Sequence, residues 1–193
     1  YYERYMPPKK SQESFFIRAS VTPGGSGQQG SYIDTAIDLS AYVDALGKSI
    51  LEIKSIEGEW AAGSTATATG VFPNGAPFMQ KDQAGSAVWQ LTTQRQVGLV
   101  GLDERTVIAK GMIWARNPDG AAAGNPPTQV YQDSHLPQHY SDTFLVATEQ
   151  IFLGAQCEQE WVEASDLTFN IVLECSVSTM TSEKAMALAL SQQ

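Results

Sequence analysis

The chain has 193 residues and sets 12 Lys+Arg against 21 Asp+Glu, a formal charge of −9. That length suits one domain, and 42% hydrophobic residues can fill its core. The charge excludes simple electrostatic attraction to bare nucleic acid or to an anionic membrane face. No apolar run approaches the ~20 residues that span a bilayer, and the opening residues do not form a basic-then-apolar leader.

In chain order, residues 1–14 open on YYERYMPPKK, which has neither a helical nor a strand period. Pro7 and Pro8 fix an extended backbone, so this reads as an arm. Tyr1, Tyr2 and Tyr5 need apolar surface to lie on, and a neighbouring molecule can supply it. FFIRASV (Phe15 to Val21) is β-rich and stops at the breaker TPGGSGQQG. From Tyr32 to Leu39 the chain alternates, with Ile33, Thr35, Ile37 and Leu39 on one face. Ser40 to Gly47 reads as one short helical turn capped by Ser40. In SILEIKSIEGEW the apolar phase slips near Ser55, and a β-bulge there would return it to the core.

Short β-prone pieces follow at Thr65 to Phe72, Ser86 to Thr93 and Gln96 to Leu102. Thr106 to Ala115 is apolar on both sides, which predicts a strand covered on both faces. Arg116 to Asp142 is a long irregular stretch, of the kind that tends to be functional. Thr143 to Leu153 reads as a strand, followed by CEQEWVE. Leu167 to Val177 alternates best of all, with Leu167, Phe169, Ile171, Leu173, Cys175 and Val177 pointing inward. The end of the chain, SEKAMALALSQQ, predicts a short helix capped by Ser182, with Glu183 in its first turn and Met186, Ala187 and Leu190 as its apolar face.

About eight strands without helices long enough for parallel crossovers predict an all-β fold: an antiparallel two-sheet β-sandwich of the single jelly-roll type. The expected organisation is an arm over residues 1–14, a sandwich over 15–180 and a helical tail over 181–193.

The sequence offers little chemistry. His135 and His139 have an H-x3-H spacing with Asp133 nearby, but Pro137 lies between them and argues against the helix that a metal site of that spacing needs. Solvent-facing or contact-forming histidines are the expectation. No G-x-S-x-G elbow and no activated-thiol motif occurs, and the glycines of GGSGQQG lack the Lys-Ser/Thr of a phosphate loop. The carboxylates Asp103, Glu104, Glu158, Glu160, Glu163 and Asp166 lack the EF-hand spacing, which leaves a structural Ca²⁺ as a minor alternative to no cofactor. Trp60, Trp89, Trp114 and Trp161 could stack sugar rings on a sheet face, yet each sits in a run with aliphatic residues, which favours packing between sheets. Cys157 and Cys175 lie on neighbouring predicted strands; a bridge and two buried thiols both remain open, the second favoured because free Cys packs as a small hydrophobe. No enzyme is expected.

An arm (YYERYMPPKK), a sandwich (Phe15 to Val177) and a tail (SEKAMALALSQQ) together resemble the jelly-roll coat subunits of icosahedral viruses. The resemblance covers the whole chain as architecture and rests on no diagnostic motif. It implies a capsid subunit, located in the virion, that assembles with copies of itself and other shell proteins and has no small-molecule substrate. The implied contact residues are Tyr1, Tyr2, Tyr5, Pro7, Pro8, His135, His139, Met186 and Leu190. Unlike the strongly basic arms of many coat proteins, this one sets Arg4, Lys9 and Lys10 against Glu3 and Glu13. Direct genome binding is therefore not expected, and an internal membrane or lining protein would lie between. The alternative is a secreted carbohydrate-binding or adhesion module.

Overall fold

A computed structural model of the chain describes residues 13–23, 31–44, 49–62, 69–70, 83–117, 129–139, 143–157 and 167–192. Ten strands and one helix occupy them: β1 (Phe15–Val21), β2 (Ile33–Asp38), β3 (Ser49–Ala62), β4 (Thr69–Gly70), β5 (Gln83–Thr92), β6 (Val107–Asn117), β7 (Gln129–His135), β8 (Phe144–Val146), β9 (Gln150–Cys157), β10 (Leu167–Thr179) and α1 (Ser182–Ser191).

All the pairings are antiparallel. One sheet runs β1-β10-β3, with β4 and β8 sharing the far edge of β3 at its two ends. The other runs β2-β9-β5-β6-β7. Without the short β4 and the extra edge strand β7, the sheets read 1-10-3-8 and 2-9-5-6, the order of two nested Greek keys that makes a jelly roll.

Period-2 alternation builds the core. On β10, Leu167, Phe169, Ile171, Leu173 and Cys175 are buried as expected. They meet Ile53, Ile56 and Trp60 of β3 and, across the sandwich, Trp89, Leu91, Ile113, Ile151 and Leu153. At the centre the Phe169 ring stacks on Trp89 at 4.5 Å and tilts against Trp60 at 5.0 Å. Two glycines make room: a Cβ at Gly58 would overlap the tip of the Phe169 ring, and one at Gly111 would lie 2.5 Å from Trp89 Nε1.

The phase slip near Ser55 is a bulge. Ser55 pairs with Glu174 but Ile53 pairs with Cys175, so Lys54 is the extra residue and both Ile53 and Ile56 face inward.

Several expectations need correction. Thr143 to Leu153 is not one strand. The chain turns at residues 147–149 and passes from β8 in one sheet to β9 in the other; Leu39 N–H donates to Glu149 O, and Ala147 N–H to Gln192 Oε1. Gln96 to Leu102 forms no strand but part of a connection, because its polar anchors come from side chains rather than from a neighbouring backbone. The outward face of β6 is covered only in part, by the connection that precedes it, and Lys110, Met112 and Trp114 are half-buried. A second bulge, with Leu91 opposite Ala109 and Thr92 opposite Val107, buries Ile108 beside Ala109 and produces the continuous apolar run.

β7 and a 3-10 turn at Pro137–His139 lie within the stretch expected to be irregular; β7 pairs along the edge of β6. The turn after β2 is capped by Asp38, whose carboxylate accepts from Ser40 N–H and has a lowered pKa for that reason, rather than by Ser40. Residues 1–12, 24–30, 45–48 and 158–166 lie outside the described residues, and with them most of the arm, the glycine cluster, Trp161, Glu158, Glu160, Glu163 and Asp166.

Candidate functional site

Two features stand out on the surface. The first is built on the outward face of β5, β6 and β7. The register aligns Val88 with Met112 and Asp133, and Gln90 with Lys110 and His135. The side chains of these residues point away from the core because they alternate with the inward Ala87, Trp89, Ala109 and Ile113.

The connection between β5 and β6 folds over this face. Gln90, fully buried, holds it: Nε2 donates to Gly98 O (3.0 Å) and to the Tyr32 hydroxyl (3.0 Å), while Oε1 accepts from Val100 N–H (2.9 Å). Burial raises the pKa of the Tyr32 phenol, which keeps it protonated; its ring lies over Gly154, where a Cβ would overlap it. Lys110 Nζ donates to Val100 O at 2.6 Å, and Arg95 clasps Asp34 of β2 with bonds of 2.8 and 3.0 Å.

Between loop and sheet lies a cavity of about 420 Å³. Val88 and Met112 form its floor and Leu99 and Leu102 its loop side, while Lys110, Asp133 and His135 supply its polar groups. Its volume falls within the range of small-molecule and side-chain pockets, and its apolar lining with a few polar groups is the usual composition of such sites.

The second feature is α1. Ala185, with Leu188 and Ala189, packs on Ile50, Leu145 and Ala147. Gln192, almost fully buried, secures the helix end: Oε1 accepts from Ala147 N–H (3.0 Å), Nε2 donates to Leu145 O (2.5 Å), and its carbonyl accepts from Thr93 Oγ1 (2.8 Å). The apolar face expected over Met186, Ala187 and Leu190 points outward. Met186 is 51% and Leu190 62% exposed, and Ala187 is exposed with them. Small Ala185 and Ala189 allow close approach to the sheet, and the larger side chains are turned away. Thr181, not Ser182, stands at the N-cap, with no side-chain capping bond.

Of the other expected contact residues, His135 ends β7 with Nε2 3.9 Å from Asp133 Oδ2, and His139 is exposed in the 3-10 turn. The chain does not bring the two imidazoles onto a shared ligand: among the described residues no group of three His, Cys, Asp or Glu is placed to hold a metal ion. Tyr1, Tyr2, Tyr5, Pro7 and Pro8 lie outside the described residues. Asp103 and Glu104 sit in the loop over the cavity sheet. Cys157 and Cys175 are buried and unbridged, and burial, with a smaller contribution from Glu174, pushes the Cys175 thiol up to about 12. Trp60 and Trp89 belong to the core, and Trp114 faces outward opposite Tyr131.

The sequence reading missed Gln90, Lys110 and Gln192. Lys110 alone carried a signal, as the one charged residue inside the otherwise apolar run VIAKGMIWA.

No protein-family model matches the chain, and no curated protein matches it in sequence. Among solved structures the chain is similar to Desmodium yellow mottle tymovirus (TM-score 0.37, 8% identity, 93% of this chain and 96% of that one). It is also similar to Trichodysplasia spinulosa-associated polyomavirus VP1 in complex with GM1 oligosaccharide (TM-score 0.38, 8% identity, 89% of this chain and 96% of that one). The strand order, rather than these likenesses, assigns the jelly roll.

Proposed function

We propose that the chain is a structural shell subunit, a viral capsid protein that self-assembles into an icosahedral shell through its arm, loops and tail. The observation that carries this reading is the placement of exposed apolar side chains. Phe16 on β1, Val97 and Leu102 in the loop, Tyr131 on β7, and Met186 and Leu190 on α1 are each more than half exposed, outside the core cluster between the sheets. They lie on both sheets and on the tail. A subunit with neighbours on several sides can bury such side chains, and their presence on both sheets and on α1 supports the reading.

The charge of −9 and the sparsely basic arm support a shell lined by a membrane or another protein, with no direct contact to genome. Ordered nucleic acid against this subunit in a particle map would refute that part.

Light scattering of the purified chain tests the main reading. Large assemblies that weaken when residues 1–10 are deleted are the expected result. A folded monomer at every concentration would refute it. The competing carbohydrate-binding reading, in the virion's place an extracellular one, has lost Trp60 and Trp89 to the core and retains the outward Trp114–Tyr131 pair. Its mark would be a monomer whose tryptophan emission changes with oligosaccharide.

A further inference from the structure

We propose that the cavity over β5, β6 and β7 receives the outward stripe of α1 from a second copy, so that the tail of one subunit plugs the sheet of the next. The proposal rests on the shell-subunit reading and names the partner for two of its surfaces.

The two features match in shape and charge. Glu183, Met186, Ala187 and Leu190 recur at i, i+3, i+4 and i+7 and so form one stripe, about 10 Å long at 1.5 Å per residue. The stripe offers apolar side chains at its C-terminal end and a carboxylate at its N-terminal end. The cavity offers Val88, Met112, Leu99 and Leu102 as apolar lining, with the Lys110 ammonium and the His135 imidazole beside them. Leu190 and Met186 fill the apolar part, and Glu183 meets Lys110 and His135. Asp133, which would repel Glu183, is met by the exposed Lys184 next to it.

The helix of the same chain does not do this. It is held on β3 and β8 by Ala185, Leu188 and Ala189, and Gln192 locks its end. Knob and socket are different patches of one molecule, so the contact is heterologous. It leaves a free socket and a free knob at each step and propagates until it closes on itself, as a ring or shell requires.

The experiment uses the full chain. Leu190→Asp changes an exposed side chain and leaves the core untouched, so folding is retained; the concentration at which assemblies appear should rise about tenfold, the effect of losing one central apolar contact. Glu183→Lys should weaken assembly, and Glu183→Lys with His135→Glu should restore it. Leu190→Cys with Leu102→Cys should give a disulfide ladder of linked chains on a non-reducing gel, free of interference from the buried native thiols. If the parent chain assembles but Leu190→Asp assembles equally well, or no ladder forms, the tail-in-cavity contact is wrong and the shell reading stands. Failure of the charge swap to restore assembly also overturns the contact. A monomeric parent chain overturns both readings.

Discussion

Phe169 is the side chain on which the two halves of the core meet, and truncating it gives a quantitative test of the packing. It is 1% exposed and touches Trp60 in its own sheet and Trp89 in the opposite one. Phe169→Ala removes the ring from a site whose walls are two large aromatic rings and cannot easily collapse. The expected cost is about 3–5 kcal/mol, at the upper end for buried aromatic truncations. For a chain of this size that lowers the melting temperature by roughly 6–20 °C.

Gly58→Ala tests the same geometry from the other side. Replacing glycine within a strand ordinarily stabilises by about 0.5–1 kcal/mol. Here the new Cβ overlaps the Phe169 ring, so overpacking wins and the variant loses about 1–3 kcal/mol. The double variant should be more stable than the sum of the two losses predicts, by about 1 kcal/mol or more, because the added methyl then enters space that the ring has left. Guanidinium titrations followed by tryptophan emission, with far-UV circular dichroism as a second probe, give all four stabilities. Additive losses, or a Phe169→Ala cost under about 1 kcal/mol, would refute the proposed facing of β10 and β3.

Gln90→Ala removes the two bonds that hold the loop over the cavity, together with the bond to Tyr32, and leaves Val100 N–H and Gly98 O without this partner. We expect a loss of about 1–3 kcal/mol and faster hydrogen exchange at Val100, and unchanged exchange would contradict it. Gln192→Ala should release α1 at similar cost, with exchange accelerated at Ala185 and Ala147 but not at the core strands.

Cys175, raised to about 12, is a protonated thiol throughout the neutral range, and Cys157 is 1% exposed. Neither should react with a thiol reagent at pH 8 until guanidinium unfolds the chain, and prompt labelling of the native protein would contradict their burial.

Much of this fold is legible along the chain, because a half-buried strand writes its own period. The alternation in β2 and β10, and even the slipped phase that marks the bulge at Lys54, follow from which side chains must face the core. Pairing is not written locally: β1 joins β10, and β2 joins β9, across more than a hundred residues. Thr148 and Glu149 turn the chain from one sheet to the other, yet with no glycine or proline beside them they do not look like a break in the β-prone run. The bulge that buries Ile108 beside Ala109 imitates a strand covered on both faces.

α1 is the instructive case. Met186, Ala187 and Leu190 are the obvious apolar face by size, but Ala185, Leu188 and Ala189 let the helix sit close to Ile50 and Ala147. What the larger residues then do depends on a neighbour, which a single chain does not specify. The cavity was illegible for a related reason: its apolar wall comes from Leu99 and Leu102, which read as a strand until Gln90 and Lys110 are seen holding them as a lid.

The central claim is that this jelly roll exists to contact other copies. The most direct measurement is the mass distribution of the purified full chain across concentration, by light scattering with electron microscopy of the same samples. The account predicts closed particles of uniform size above a threshold concentration. A single species of 20.9 kDa at every concentration would contradict it.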